Sequence, residues 1–471
     1  MRHIFTGRDS FRATTTSNSN FFAIKLTKSI GNARWYCSAL LTIIFTLCSL
    51  AVTAATYYIA PNGSNFAKGD IKHPFATLNK AWAVVAAGDI IYVRGGTYLF
   101  NKPQDIRQKN GKPGKLIKVW AYPGEVPIFT RGPLYPPVAD NGAGVAFSGN
   151  YVHFKGLTIT GFIQDYGADK LGTWVPAFAA YHSSHCIFEQ LTMYNNMHGF
   201  LLHGNDCTDN LILNCDSYSN QDPLSSGIGV VPFGGADGFS IKGFNSSATV
   251  TLRGCRSWGN SDDGYDFYGY EGNAILDQCW SFLNGYIPGT TMPGGNGNGF
   301  KLGPTAKNEL TKVKKTLTNC VAFQNSAWGI EKNGAKHAFI LYNNTAFKNV
   351  KGGFYFYDLP GVANIARNNI AFANVAVNAY FNKESRADHN TFLGNSSGNP
   401  NPAYKVTKAD FVSLNSTGSD GPRQSDGSLP KLTFLHLVAG SDLINSGVYV
   451  GIPFNGSAPD MGAFENPTAS P

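Results

Sequence analysis

The chain is poor in charge. Only 14% of its 471 residues are Asp, Glu, Lys or Arg. It has no C-x-x-C pair, which argues against a zinc site. Its apolar run over 37–52 is short for a membrane span of roughly 20 residues. The net charge of +8 is misleading. Arg2, Arg8, Arg12, Lys25, Lys28 and Arg34 against Asp9 put +5 in residues 1–54, leaving 8 − 5 = +3 for the rest. A near-neutral remainder gives no electrostatic case for nucleic-acid binding. A basic stretch, an apolar run and Val52-Thr53-Ala54 together predict a secretory signal over 1–54. An exported protein, extracellular or periplasmic and free of the membrane after cleavage, is therefore expected, as a monomer. Six cysteines follow that segment: Cys186, Cys207, Cys215, Cys255, Cys279 and Cys320. Four of them share one repeat position, which suits a buried stack of small side chains. A bridge between Cys255 and Cys279 stays open, because export permits disulfides.

What the chain has in abundance is glycine, 53 residues, and a recurring asparagine. Asn196, Asn220, Asn260, Asn284, Asn325, Asn349, Asn374 and Asn395 follow one another at intervals of 24, 40, 24, 41, 24, 25 and 21 residues. Two residues before each stands a large apolar side chain, from Tyr194 and Tyr218 to Phe372 and Leu393. Five residues before each stand Leu191, Cys215, Cys255, Cys279, Cys320, Asn344, Asn369 and Asn390. A period near 24 with two long insertions marks a solenoid. The predicted fold is all-β, a parallel β-helix with an internal Asn ladder. Regular coils are expected from about 150 to 395, inside a single domain spanning 55–471. Asn suits the sharp turn, where it tolerates left-handed backbone, and its amide can bond the Asn above and below. PFATLNKAWAVVAAG reads as a short amphipathic helix that caps the N-terminal end, with Leu78, Ala81, Trp82 and Val85 apolar. Residues 396–471 are expected to return along the helix or cap it.

After each Asn comes a strand such as DGFSI, DGYDF, NGFKL or WGIEK. Aligning these on the aromatic residue (Ile330 in the last) places Leu201, Ser240, Asp266, Lys301, Glu331, Tyr355 and Phe381 in one outward column. A second column holds His198, Asp237, Asp263 and Asn298. Four carboxylates, Asp237, Asp262, Asp263 and Asp266, thus converge on two coils, with Lys301 on the third. Like charges so placed raise one another's pKa values, and an oxygen-ligated divalent cation relieves them, which points to Ca²⁺. The insertions 221–235 and 285–297 flank this patch and are expected to shape a groove rather than supply chemistry. Lys242, Lys332 and Lys336 are candidates for neutralising an acidic substrate.

The segments ADGFSIKG, GNSDDGYDFYG and GNGFKLG, in this order, resemble the motifs of polysaccharide lyase family 9, the pectate lyases on a right-handed parallel β-helix. The resemblance runs over roughly 56–466. It implies Ca²⁺ bound by Asp237, Asp262, Asp263 and Asp266, with Lys301 as Brønsted base. The implied partner is acidic plant cell-wall polysaccharide, polygalacturonate or pectin, cleaved by β-elimination. The family also includes enzymes acting on rhamnogalacturonan. Two other readings remain. Inverting hydrolysis would need an acid and base pair such as Asp262 or Asp263, but the polygalacturonase motifs are missing. A passive carbohydrate-binding β-helix would need no base beside the acidic patch.

Overall fold

The computed structural model describes residues 54–467, apart from 134–142, 166–172, 226–230, 305–312, 358–362 and 394–399. The expected signal segment 1–54 lies outside the described residues except for Ala54, as does Asn395.

Three parallel sheets wrap one interior. The first has 12 strands, from Thr56–Ile59 to Arg386–Asp388. The second has 10, from Gly96–Phe100 to Ile370–Phe372, and the third 10, from Gln104–Ile106 to Ala379–Phe381. From Ile90–Val93 onward the coils visit the sheets in that order; before it, Thr56–Ile59 leads through the helix Leu78–Val84 back to the first sheet. The coils begin near residue 56, well before the expected 150. The early turns lack the repeated Asn and Gly-aromatic pair, so the period is invisible there although the pairing is regular, as in Thr56↔Ile90 and Ile90↔Lys118.

The interior is built from stacks. Phe239, Tyr265 and Phe300 lie face to face at 5.1 and 4.6 Å. Between the second and third sheets the Asn ladder is continuous. Nδ2 of Asn196, Asn220, Asn260, Asn284, Asn325 and Asn349 donates to Oδ1 of the next Asn at 3.3, 2.8, 3.0, 3.0, 2.9 and 3.0 Å. The left-handed residue at this turn is not the ladder Asn but the one before it: Asn195, Ser219, Gly259, Leu283, Gln324, Lys348 and Ala373 all have φ between 52° and 60°. The Asn is therefore required for its amide and not for its backbone freedom. Non-glycine residues at positive φ cost roughly 1–2 kcal/mol each, which the buried bonds of the ladder offset. The glycine of the Gly-aromatic pair has a steric cause. A Cβ on Gly264 would stand 2.1 Å from Ser281 Oγ, 2.6 Å from Gly299 O and 2.8 Å from Asn284 Nδ2.

A second stack runs beside the turn between the first and second sheets. Cys215, Cys255, Cys279 and Cys320 are buried free thiols. Above them Asn344 donates to Asn369 at 2.9 Å and Asn369 to Asn390 at 2.8 Å. No disulfide joins Cys255 and Cys279, which are both free.

The helix Leu78–Val84 is capped by Thr77, whose hydroxyl accepts from Lys80 N at 3.2 Å. It buries Leu78, Ala81 and Trp82. Trp82 meets core Phe147 edge-on at 5.9 Å and donates to Arg107 O at 3.0 Å. The C-terminal segment returns along the outer face of the second sheet. Phe411, Phe434, Leu435, Leu437 and Leu443 pack there on Phe282, Phe323 and Phe347. It is anchored by charge: Asp216 accepts from Arg256 at 2.8 and 2.7 Å and from Arg423 at 3.1 and 2.7 Å. Arg256 also donates to Ser419 O and Gly421 O, both at 2.8 Å.

Candidate active site

The third sheet carries the site. Ser240, Asp266, Lys301, Glu331 and Tyr355 pair in sequence across five coils, as the aligned column predicts. The column slips at its end. Tyr355 pairs with Tyr380 rather than Phe381, and Phe381 turns inward to stack on Phe356 at 5.2 Å. Ala379 occupies the inward place beneath Phe354, so Tyr380, the first aromatic of this strand, is not the core one.

The other column is linked by its own hydrogen bonds. Asp263 N donates to Asp237 Oδ1 at 3.2 Å, and Asn298 N to Asp263 Oδ1 at 2.7 Å. Asp237, Asp262 and Asp263 are buried, and one carboxylate oxygen from each lies within 4.8 Å of the others. Asp266 stands beside them and is tied to lysines: Lys242 Nζ lies 2.9 Å and Lys301 Nζ 3.8 Å from its carboxylate. Lys301 Nζ donates to Asp263 Oδ2 at 2.8 Å.

The charges are unbalanced. Burial, then the charges of Asp266, Asp262 and Asp263, push Asp237 well above the usual carboxylate range. Burial and Asp263 do the same to Asp262. Asp263 is also raised, chiefly by burial, although Lys301 opposes the shift. Burial would raise Asp266 too, but Lys242 and Lys301 outweigh it and hold this carboxyl low. Burial alone would lower the Lys301 pKa; Asp263, Asp266, Asp237 and Asp262 outweigh it and keep the ammonium protonated. Three mutually repelling buried carboxylates, offering only hard oxygen donors, fit a divalent cation such as Ca²⁺.

Several supporting residues were not anticipated. Ser240 Oγ donates to Asp237 Oδ2 at 2.7 Å. Asn298 Nδ2 donates to Asp263 at 2.9 Å. Asn296, inside the insertion 285–297, donates to Asp262 Oδ1 from its backbone N and, at 3.2 Å, from Nδ2. That insertion therefore does more than shape a groove. Asn298 had a signal in its column position; Asn296 had none, because loops carry no register. Of the candidate lysines, Lys242 joins the site. Lys332 does not: strand alternation buries it on the opposite side from Glu331, with no exposed surface.

The comparisons follow the same lines. Residues 57–369 match the family model described as Pel9A-like, right handed beta helix region. Pectate lyase L of Dickeya dadantii (strain 3937) is 31% identical over 423 residues, covering 88% of this chain and 91% of that protein. The crystal structure of pectate lyase Pel9A superposes with a TM-score of 0.69 at 28% identity, covering 88% of this chain and 96% of that one. A solved rhamnogalacturonan lyase gives the same TM-score of 0.69 at 29% identity, over 82% and 97%. Fold and relatives define an enzyme that cleaves polysaccharide by elimination. The chain belongs to polysaccharide lyase family 9.

Proposed function

We propose that this protein is a secreted, calcium-dependent pectate lyase in which Lys301 is the base. The observation that carries the reading is the position of Lys301 Nζ, 2.8 Å from Asp263 within a buried acidic cluster on a sheet face. Asp237, Asp262 and Asp263 would hold the cation, with Asp266 beside them. When bound there, Ca²⁺ would neutralise the cluster and, through the substrate carboxylate, stabilise the enolate-like charge of the transition state. With the cluster so neutralised, Lys301 would lose the field that keeps it protonated, and its neutral amine would become accessible at mildly alkaline pH. It takes the proton from C5 of a 4-linked uronate. The C5–H electrons form the C4=C5 double bond, and the C4–O4 bond breaks. O4 departs with its sugar and is protonated from solvent. Lys242, held by Asp266, orients that carboxylate and stays out of proton transfer.

The test is ultraviolet absorbance of the conjugated unsaturated product on polygalacturonate. Activity should vanish in chelator and return with Ca²⁺; full activity in chelator would exclude the calcium mechanism. A second reading is cleavage of rhamnogalacturonan by the same site, favoured by the equal superposition on a rhamnogalacturonan lyase. Turnover of that polymer with none on polygalacturonate would select it.

A further inference from the structure

The column holding Asp266 and Lys301 does not end at the site. It continues through Glu331 to Tyr355 and Tyr380 on successive coils. At about 4.8 Å per coil, the two rings stand roughly 10 and 15 Å along the helix axis from Lys301. They are not alone. Trp328 stacks on Tyr355 at 4.6 Å and 26°. Tyr380 meets Tyr355 edge-on at 6.1 Å and 84°. Tyr357, 57% exposed, lies 5.9 Å from Tyr380. The backbone makes room for this group: a Cβ on Gly352 would come 2.2 Å from Trp328 Cζ3, so the indole can lie across the next coil only because that residue is glycine. On the other side of the site the same column reads Ser240, Leu201 and Ala179, with no ring. Elsewhere on this sheet Phe200, Phe239, Tyr265 and Phe300 are buried in the interior, and the partly exposed Tyr181 stands singly against Arg107 and His203. Four partly exposed rings clustered on one side of the site are therefore a departure that core packing does not explain.

We propose that Trp328, Tyr355, Tyr357 and Tyr380 form a stacking platform for the sugar units of the substrate two to three residues from the cleaved bond. The proposal rests on the reading of Lys301 as the reacting centre. A pyranose ring has an apolar C–H face that packs on Tyr and Trp while its hydroxyls stay wet at the rim. One 4-linked sugar is about as long as one coil, so a chain laid along the sheet presents successive rings to successive coils. Among the described residues, the outward column itself carries no Lys or Arg beyond Lys301 toward Tyr355 and Tyr380. Recognition there reads ring face rather than carboxylate, and it accepts neutral or esterified sugars as well as uronates.

The experiment compares short and long oligosaccharides of whichever polymer the parent enzyme cleaves. Tyr357→Ala and Tyr355→Leu, the second keeping bulk beside Trp328, should each lower kcat/KM on long fragments by roughly three- to tenfold. On the shortest cleavable fragment kcat/KM should hold within about twofold of the parent, a smaller change than losing one ring contact. Calorimetric titration of the long fragment of that polymer, oligogalacturonide or rhamnogalacturonan oligosaccharide, into Lys301→Ala protein, with and without Tyr355→Leu, reads the platform independently of catalysis. Affinity should fall by the same factor. Equal losses on short and long fragments, or undiminished affinity in a folded Tyr355→Leu variant, would overturn the platform. Retained turnover by Lys301→Ala would overturn the base assignment instead, and the calorimetric comparison would still decide the platform.

Discussion

Two buried acidic positions stand on different sheets of the same solenoid. On the second sheet, Asp216 faces two guanidinium groups, Arg256 and Arg423, with every contact short and paired. On the third, Asp237, Asp262, Asp263 and Asp266 face two ammonium groups, Lys242 and Lys301. The first arrangement saturates its carboxylate with donors and fastens the C-terminal segment to the coils. The second leaves acids in excess, so their protonation is costly to suppress. Burial alone does not mark a reactive site. Unbalanced burial is the better pointer, because excess buried carboxylates favour a cation or a perturbed proton affinity. The motif GNSDDGYDFYG lies on the unbalanced side, and Arg423 of the returning C-terminal segment closes the balanced one.

The comparison is broken most strongly at Lys301. Lys301→Ala should lower the elimination rate by about 10²–10⁴-fold while the melting temperature stays near the parent value. Lys301→Arg should not rescue, since a guanidinium does not give up its proton. A variant within threefold of the parent, far inside the range for loss of a general base, would move the base elsewhere.

Asp216→Asn should do the reverse. Two buried arginines lose their counter-charge, which costs on the order of 3–5 kcal/mol, while the rate per folded molecule is kept. Denaturant unfolding together with active-site titration separates the two effects. A large fall in kcat with unchanged stability would erase the distinction between the two acidic positions.

A smaller loss, about 1–3 kcal/mol, is expected for Asn325→Ala. It removes the bonds from Asn325 to Ser281 O at 3.0 Å and to Asn349 at 2.9 Å, and leaves Asn284 without its acceptor. Catalysis per folded molecule should be unchanged.

The smallest effect concerns Glu465, half-buried at the end of the returning segment. Burial and then Asp460 push its pKa up to about 7. Between about 4.5 and that value the folded state holds a proton that the unfolded state has released. Stability therefore falls as pH rises through this window and levels off above it. Discounted for solvent, the change is on the order of 1 kcal/mol or less. Glu465→Gln should flatten the decline, read as the difference in melting temperature between about pH 5 and about pH 8.

The coils that build the site are readable because their residues recur. Asn at one turn and Gly-aromatic after it define a register, and register alone brings Asp237 to Asp263 and Asp266 to Lys301. Where recurrence fails, reading fails. The coils before residue 150 fill their turns with other residues, and Tyr380 is displaced by one place because Ala379 takes the core position. Contacts made outside the register have no periodic trace. Asn296 reaches Asp262 from a loop, and Arg423 reaches Asp216 across 207 positions. Lys332 shows the converse: a residue next to a site in sequence is turned away from it by strand alternation.

The stack of cysteines has a consequence for how the protein is made. Cys215, Cys255, Cys279 and Cys320 are packed beneath the turns as thiols, hydrogen-bonded to carbonyls such as Phe188 O, Ile212 O and Leu252 O. Burial holds Cys186 and Cys207 at about 12 and about 11, so little nucleophilic thiolate forms. The solenoid needs neither an oxidant to close it nor a reductant to keep it open. Once folded, the described solenoid holds together without a disulfide, and dithiothreitol should leave its melting temperature unmoved.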